Sequence, residues 1–186
     1  MRHHLYHPDY QFVVEPEQFH KHTNRELLQY CLGATMYMTR TKNFMPKILS
    51  GDLPGLTSMV LCFEDACPEE LVPAAEENVL CFLETLSQAV ETGRLSEDRI
   101  PLIFCRVRNM QQFKGFAKKL TKNHIKILTG INFPKFCAQN GEEYFSYLEQ
   151  LNSQLGDILY GMPIIESPEV AYKESRMDEL CAIRDI

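Results

Sequence analysis

"SMVLCFEDACPEE", residues 58 to 70, decides how the rest of the chain is read. From Ser58 to Phe63 the residues are apolar or small and lack the alternation of a half-exposed strand, so the run reads as a strand buried on both faces. Directly at its end stand two adjacent acids, Glu64 and Asp65. A strand covered on both sides belongs in a parallel sheet flanked by helices, and in a closed sheet of that kind functional groups gather at the carboxyl ends.

Four further apolar runs flank this one: GATMYM (33 to 38), IPLIFC (100 to 105), KILTGINF (126 to 133) and DILYGMPII (157 to 165). Helical patterns separate them, with their own punctuation. TNRE at 23 to 26 has capping-box spacing, Pro68 stands where an N1 proline would open a long helix, and Ser167-Pro168 offers an N-cap followed by N1. Pro73 predicts a break or restart inside the long helix, and the glycine of ETGRLSEDR predicts its stop. An open nucleotide-binding sheet would carry a glycine-rich loop after a strand, and neither GxGxxG nor a Walker pattern occurs. The expectation is therefore an α/β chain, one domain over residues 1–186, forming about five units of a (β/α)₈ barrel.

Composition sets the outer limits. With 45% apolar and 24% charged residues the 186-residue chain has ordinary globular composition. A formal charge of −6 argues against a nonspecific nucleic-acid binder, and no apolar run is long enough for a membrane span or a signal peptide, so the expected location is cytoplasmic. The seven cysteines occur singly with no CxxC pair and read as reduced core residues. The basic segment at 114 to 126 reads as a solvated helix face, His124 as a loop residue, and Phe113, Phe116, Ala117 and Leu120 as a core stripe. The histidines near the N-terminus, including His20 and His22, read as surface groups, because no neighbouring acid or cysteine completes a metal site.

Four consecutive strands end on charge: Glu64 and Asp65, then Arg106, then Lys135, then Glu166. In a parallel β/α sheet all carboxyl ends lie on one side, so these groups are expected to converge on one polar mouth. Alternation after Phe104 points Arg106 inward and leaves Arg108 in the following loop. Carboxylates can hold Mg²⁺ directly or through its waters, and a guanidinium can clamp a substrate carboxylate bidentately.

The same residues carry a family resemblance. VLCFEDACPEE resembles the DLEDAV strand end of the HpcH/HpaI aldolase and citrate lyase β-subunit superfamily, FCRVRN its VRVN strand, NFPKF its LPK strand and MPIIESPEVA its IET strand. Within that superfamily the chain looks nearest the C–C bond lyase branch associated with tellurium-resistance gene clusters. The resemblance implies a Mg²⁺-dependent lyase or aldolase acting on an oxo acid or acyl-CoA thioester. Arg106 would bind substrate oxygens, Glu166 would ligate Mg²⁺, and Glu64 and Asp65 would shape its water shell or move protons. Lys135 matches a motif lysine on the substrate side.

Three departures accompany it. The family's first strand ends in a VPG or MPA type turn, whereas this chain has YMTRTKN, which places Thr39 and Arg40 beside the substrate. Cys62 replaces the acid that opens DLEDAV. Only five strand patterns occur, so the barrel reads as C-terminally incomplete, lacking the later aspartate that completes the family's metal site, and association into a homo-oligomer through open strand edges is expected. A ligand-binding or regulatory barrel with weak catalysis is the alternative reading. Schiff-base chemistry at Lys135 ranks below both, because neighbouring carboxylates raise a lysine's pKa.

Overall fold

The computed structural model describes residues 2 to 38 and 45 to 186. Thr39 and Arg40, expected at the turn after the first strand, lie outside the described residues. Five strands form one all-parallel sheet: β1 (Met36–Met38), β2 (Ser58–Cys62), β3 (Leu102–Arg106), β4 (Leu128–Phe133) and β5 (Tyr160–Pro163). Their spatial order is the chain order, β1-β2-β3-β4-β5. A doubly wound sheet reverses direction at a switch point, whereas sequential order with crossovers of one hand keeps every helix on the same face. This is barrel winding, with β1 and β5 at the edges of the described sheet.

The helices are α1 (Arg25–Leu28), α2 (Met45–Ser50), α3 (Val72–Glu91), α4 (Met110–Ala117), α5 (Lys122–Ile127), α6 (Ala138–Leu155), α7 (Pro168–Ala171) and α8 (Lys173–Arg184). Pro68 opens only a 3-10 turn over Glu69–Leu71, and the α-helix restarts at Val72 with Pro73 in its first turn, where the missing N–H costs nothing. Past its end Gly93, at φ 70°, donates to the Val90 carbonyl in the left-handed conformation that stops the helix. Beside Asn24, which accepts from the Glu26 amide, α1 is a single turn capped one residue later than the TNRE spacing suggests.

Alternate strand residues divide two cores. Met59, Ile103, Cys105, Ile131 and Phe133 join Leu83 and Leu86 of α3, Phe113 and Phe116 of α4 and Leu148 of α6 in the larger one. The Phe113 stripe therefore lies in the core, as its spacing predicts, with Phe113, Phe116, Ala117 and Leu120 all buried. On the opposite face Val60, Leu102 and Phe104 pack with Phe19, Leu28 and Cys31 of the N-terminal arm. Arg2 fastens that arm by donating to the Phe19 carbonyl at 3.1 Å, with its guanidinium 4.7 Å above the Phe19 ring. Lys21, 7% exposed, donates to the Ile125 carbonyl and pairs with Asp157 Oδ2 at 3.0 Å. The arm thus covers this face from the strand starts and leaves the carboxyl ends to polar groups.

Three readings change. His124 is not a loop residue: it is the N3 residue of α5, buried, and its Nδ1 accepts from the Thr121 amide at 3.2 Å while Thr121 Oγ1 accepts from the His124 amide. The basic segment holds two helices, α4 and α5, because the chain turns between Ala117 and Lys122. Of the free cysteines, Cys31, Cys62, Cys67 and Cys105 are buried, while Cys81 and Cys181 lie on outer helix faces and are exposed. No helix among the described residues is long and apolar enough to cross a membrane.

Candidate functional site

Register fixes what faces the mouth. Cys62, Arg106, Asn132 and Met162 are lateral partners across β2, β3, β4 and β5, so their side chains form one row on one face of the sheet. Two residues earlier, Val60, Phe104, Gly130 and Tyr160 form the row beneath. Gly130 is required there: a Cβ would lie 2.1 Å from the Tyr160 carbonyl oxygen and 3.0 Å from the Phe104 ring. The row carrying Arg106 therefore rests on an apolar floor.

Arg106 is the convergence point. Its Nη2 lies 2.7 Å from Glu166 Oε1 and 3.5 Å from Asp65 Oδ2, and it is ion-paired with Glu64 Oε2. Glu64 also accepts from Lys135 Nζ at 2.8 Å through its other oxygen. The strand-end residues read from the sequence thus stand together: three carboxylates against two cations. Their exposures differ in a way that separates their roles. Glu64 and Arg106 side chains are 6% and 10% exposed, whereas Asp65 is 72% exposed and Glu166 37%.

Local backbone sets these positions. Lys135 adopts φ 48°, the left-handed region unfavourable for a side-chain-bearing residue, and in that turn its amide donates to Glu166 Oε1 at 3.3 Å. The hydrogen bond Lys135 donates to Glu64 and the field of Glu64, Asp65 and Glu166 raise the Lys135 pKa above the ordinary lysine value. Its ammonium is mostly exposed, so solvent screens the effect.

Sequence reading missed the support behind Glu64. Arg108 lies in the loop after β3, and its Nη1 donates to three carbonyls, Phe63 at 3.0 Å, Glu64 at 3.2 Å and Cys67 at 2.7 Å. It rivets the turn that presents Glu64 and Asp65. The Arg108 amide donates to Gln112 Oε1 at 3.1 Å, and Gln112 Nε2 donates to Glu76 Oε1 at 2.8 Å. Lys119 pairs with the other oxygen of that buried carboxylate at 2.8 Å. A polar chain from α3 through α4 therefore backs the mouth. The only sequence signal was a second arginine two residues past the first.

Among the described residues no group of three or more acid, histidine or cysteine side chains is spaced to enclose a metal ion. The carboxylate oxygens of Glu166 and Asp65 nevertheless suit Mg²⁺ in donor type, since this cation binds through one or two carboxylates and keeps several waters. Three carboxylates against Arg106 and Lys135 also leave one negative charge in excess, which favours a hydrated cation at the open side.

A parallel sheet wound as a barrel, with an arginine and three acids at its carboxyl ends, is the frame of a TIM-barrel enzyme family. The chain belongs to the C–C bond lyase family of the TIM-barrel fold, whose family model matches residues 26–186. Among curated proteins none matches the chain.

Proposed function

We propose that the protein is a Mg²⁺-dependent carbon–carbon bond lyase or aldolase of citrate lyase β-subunit type, acting on an oxo acid or acyl-CoA thioester. The observation that carries this reading is the buried Arg106 guanidinium, held at the strand ends by Glu64 and Glu166 with Asp65 beside it. A fixed guanidinium at the mouth can take a substrate carboxylate or carbonyl oxygen and neutralise charge that develops there. Mg²⁺, when held by Glu166 and through water by Asp65, supplies Lewis-acid polarisation of a carbonyl oxygen.

The chain's own groups divide the remaining work. In the cleavage direction a base takes the proton of the substrate hydroxyl, the carbon–carbon bond breaks, and its electron pair passes to the acyl fragment as an enolate. That fragment then takes a proton. Asp65 is the carboxylate able to exchange protons with solvent, because most of its surface is open. Glu64 is buried and held by Arg106 and Lys135, so its role is to fix the guanidinium. Lys135 stays an ammonium at neutral pH and contributes charge, not an imine nucleophile.

The test is turnover of a panel of hydroxyacyl-CoA thioesters and hydroxy acids with and without Mg²⁺, followed by release of the oxo product. Mg²⁺-dependent release that falls at least ~100-fold in Arg106→Lys supports the reading, because an ammonium cannot reproduce the guanidinium's fork. Tight binding of these compounds without cleavage supports the second reading, a ligand-binding barrel of a stress-response system. The observation favouring that one is Cys62, a buried thiol in the row beside Arg106 where the resembled motif has an acid.

A further inference from the structure

Asn132 is not explained by anything above. It sits on β4 as the lateral partner of Arg106, is 1% exposed, and its Oδ1 is buried without a hydrogen-bond partner. A buried carboxamide oxygen left unpaired is costly, and an apolar side chain of the same branched shape, such as leucine, would carry no such cost. One further buried atom nearby also lacks a hydrogen-bond partner, Arg106 Nε, whereas Glu64 Oε2 is taken up by its ion pair with Arg106 Nη2. The two are complementary: Nε–H is a donor and Oδ1 an acceptor. They belong to side chains placed side by side by the register of β3 and β4.

One group satisfies such a set, a hydroxyl, which accepts one hydrogen bond and donates another. We propose that Asn132 is a positioning residue of the mouth, which together with Arg106 Nε seats a hydroxyl group belonging to an ordered water or to the bound ligand. An ammonium would be repelled by the guanidinium, a carboxylate would face Oδ1 as a second acceptor, and a methyl group would leave both unsatisfied. In the floor row Val60, Phe104 and Gly130 offer no polar side-chain atom, and the Tyr160 phenol is its one polar group. With that seat filled, the guanidinium is held at Nε as well as at Nη2, which fixes the plane it presents to a carboxylate.

This inference deepens the lyase reading by adding an orienting contact at the same site, and it is tested without turnover. The Arg106 Nε–H resonance is followed by ¹⁵N-detected exchange in the whole chain and in Asn132→Leu, with circular dichroism to show that the variant folds and Asn132→Ser as a second variant that keeps a polar group. Lactate and propionate, the same carboxylate with and without a hydroxyl, are then titrated into each protein. If the guest is a ligand hydroxyl, lactate binds at least ten-fold tighter than propionate, and Asn132→Leu reduces that preference to less than two-fold. If the guest is water, the two acids bind alike, and Asn132→Leu speeds Nε–H exchange at least ten-fold and weakens both acids together. Unchanged exchange and unchanged binding of both acids in Asn132→Leu overturn the proposal. A chain with no lyase turnover that still shows either Asn132 effect removes the lyase reading and leaves this one standing, whereas full Mg²⁺-dependent turnover with an inert Asn132→Leu does the reverse.

Discussion

Arg106 and Glu64 form an ion pair from which water is almost fully excluded, the two side chains being 10% and 6% exposed. Two buried charges cost several kcal/mol of desolvation each, about as much as their attraction returns, so such a pair is retained for position more than for stability. Removing one partner strands the other. Arg106→Ala is expected to destabilise the fold by about 3–5 kcal/mol, because Glu64 would be left with only Lys135. The double replacement Arg106→Leu/Glu64→Leu should recover most of that loss in urea denaturation. A double variant as unstable as Arg106→Ala would show that the pair itself supports the fold.

Arg108 carries the second prediction. Arg108→Met keeps much of the stem's packing but leaves the Phe63, Glu64 and Cys67 carbonyls without their donor. The expected cost is about 1.5–3 kcal/mol, with hydrogen exchange accelerated over residues 63 to 67 and not in α6. Uniform acceleration along the chain would mean that the rivet is global and not local to the loop that presents the acids.

How far the sequence carried this architecture follows from which interactions are periodic. Strands β2 to β5 were legible because each is an apolar run set between polar segments, and the ends of β2, β3 and β4 were readable because charge begins there. Arg106 was legible by alternation. Arg108 was not, since its role depends on a turn that bends three carbonyls toward one guanidinium, which no spacing rule encodes. His124 was misread because Thr121 and His124 cap reciprocally through an imidazole, outside the usual Ser/Thr-x-x-Glu/Gln signature. The N-terminal arm has no apolar period at all, and its docking rests on single anchors, Phe19, Arg2 and Lys21.

His124 predicts a pH dependence. Burial holds its pKa below the ordinary histidine value, against the opposing pull of Glu84 and the Lys119 carbonyl. The unfolded chain therefore takes up this proton at higher pH than the folded one. Its contribution to stability is full above about pH 6.5 and is lost as pH falls through the lowered folded value. Protonation at Nδ1 would also end the bond from the Thr121 amide. Calorimetric melting between pH 7.5 and 5 should show Tm falling with acid, and His124→Asn should melt lower at pH 7.5 yet with a shallower slope. An equal slope in the variant would assign the acid loss to other groups.

Lys135 is expected to resist imine chemistry. Glu64, by hydrogen bond and charge, favours the ammonium, so the ion pair is fully formed below about pH 10.4 and lost only as pH rises through the raised folded value. Incubation with pyruvate and borohydride at pH 7.5 should give no reduced adduct at Lys135 by mass spectrometry. Glu64→Gln removes the largest cause of the shift, and a trapped adduct appearing only in that variant would show that the carboxylate is what suppresses the amine. An adduct in the unsubstituted chain would return the Schiff-base mechanism.

Glu166 and Asp65 differ in how they meet a cation, and calorimetry can tell them apart. Glu166 Oε1 is held by Arg106 and by the Lys135 amide, so its carboxylate is fixed in place, and its partial exposure lets it ligate a hydrated ion directly. Asp65 is open to solvent and only 3.5 Å from the same guanidinium, a position suited to an outer contact through water. Glu166→Gln should therefore weaken Mg²⁺ binding by at least ~100-fold and Asp65→Asn by about 10-fold, the range found when outer-sphere partners are lost. Both substitutions remove a carboxylate from Arg106, so each must also be titrated with Ca²⁺, whose flexible coordination tolerates a displaced ligand better than the octahedral demand of Mg²⁺. A Mg²⁺ loss larger than the Ca²⁺ loss identifies a direct ligand in a demanding geometry. Equal, small losses for both ions in both variants would mean that the carboxylates serve Arg106 alone, and that the mouth works by guanidinium and acid without a resident cation.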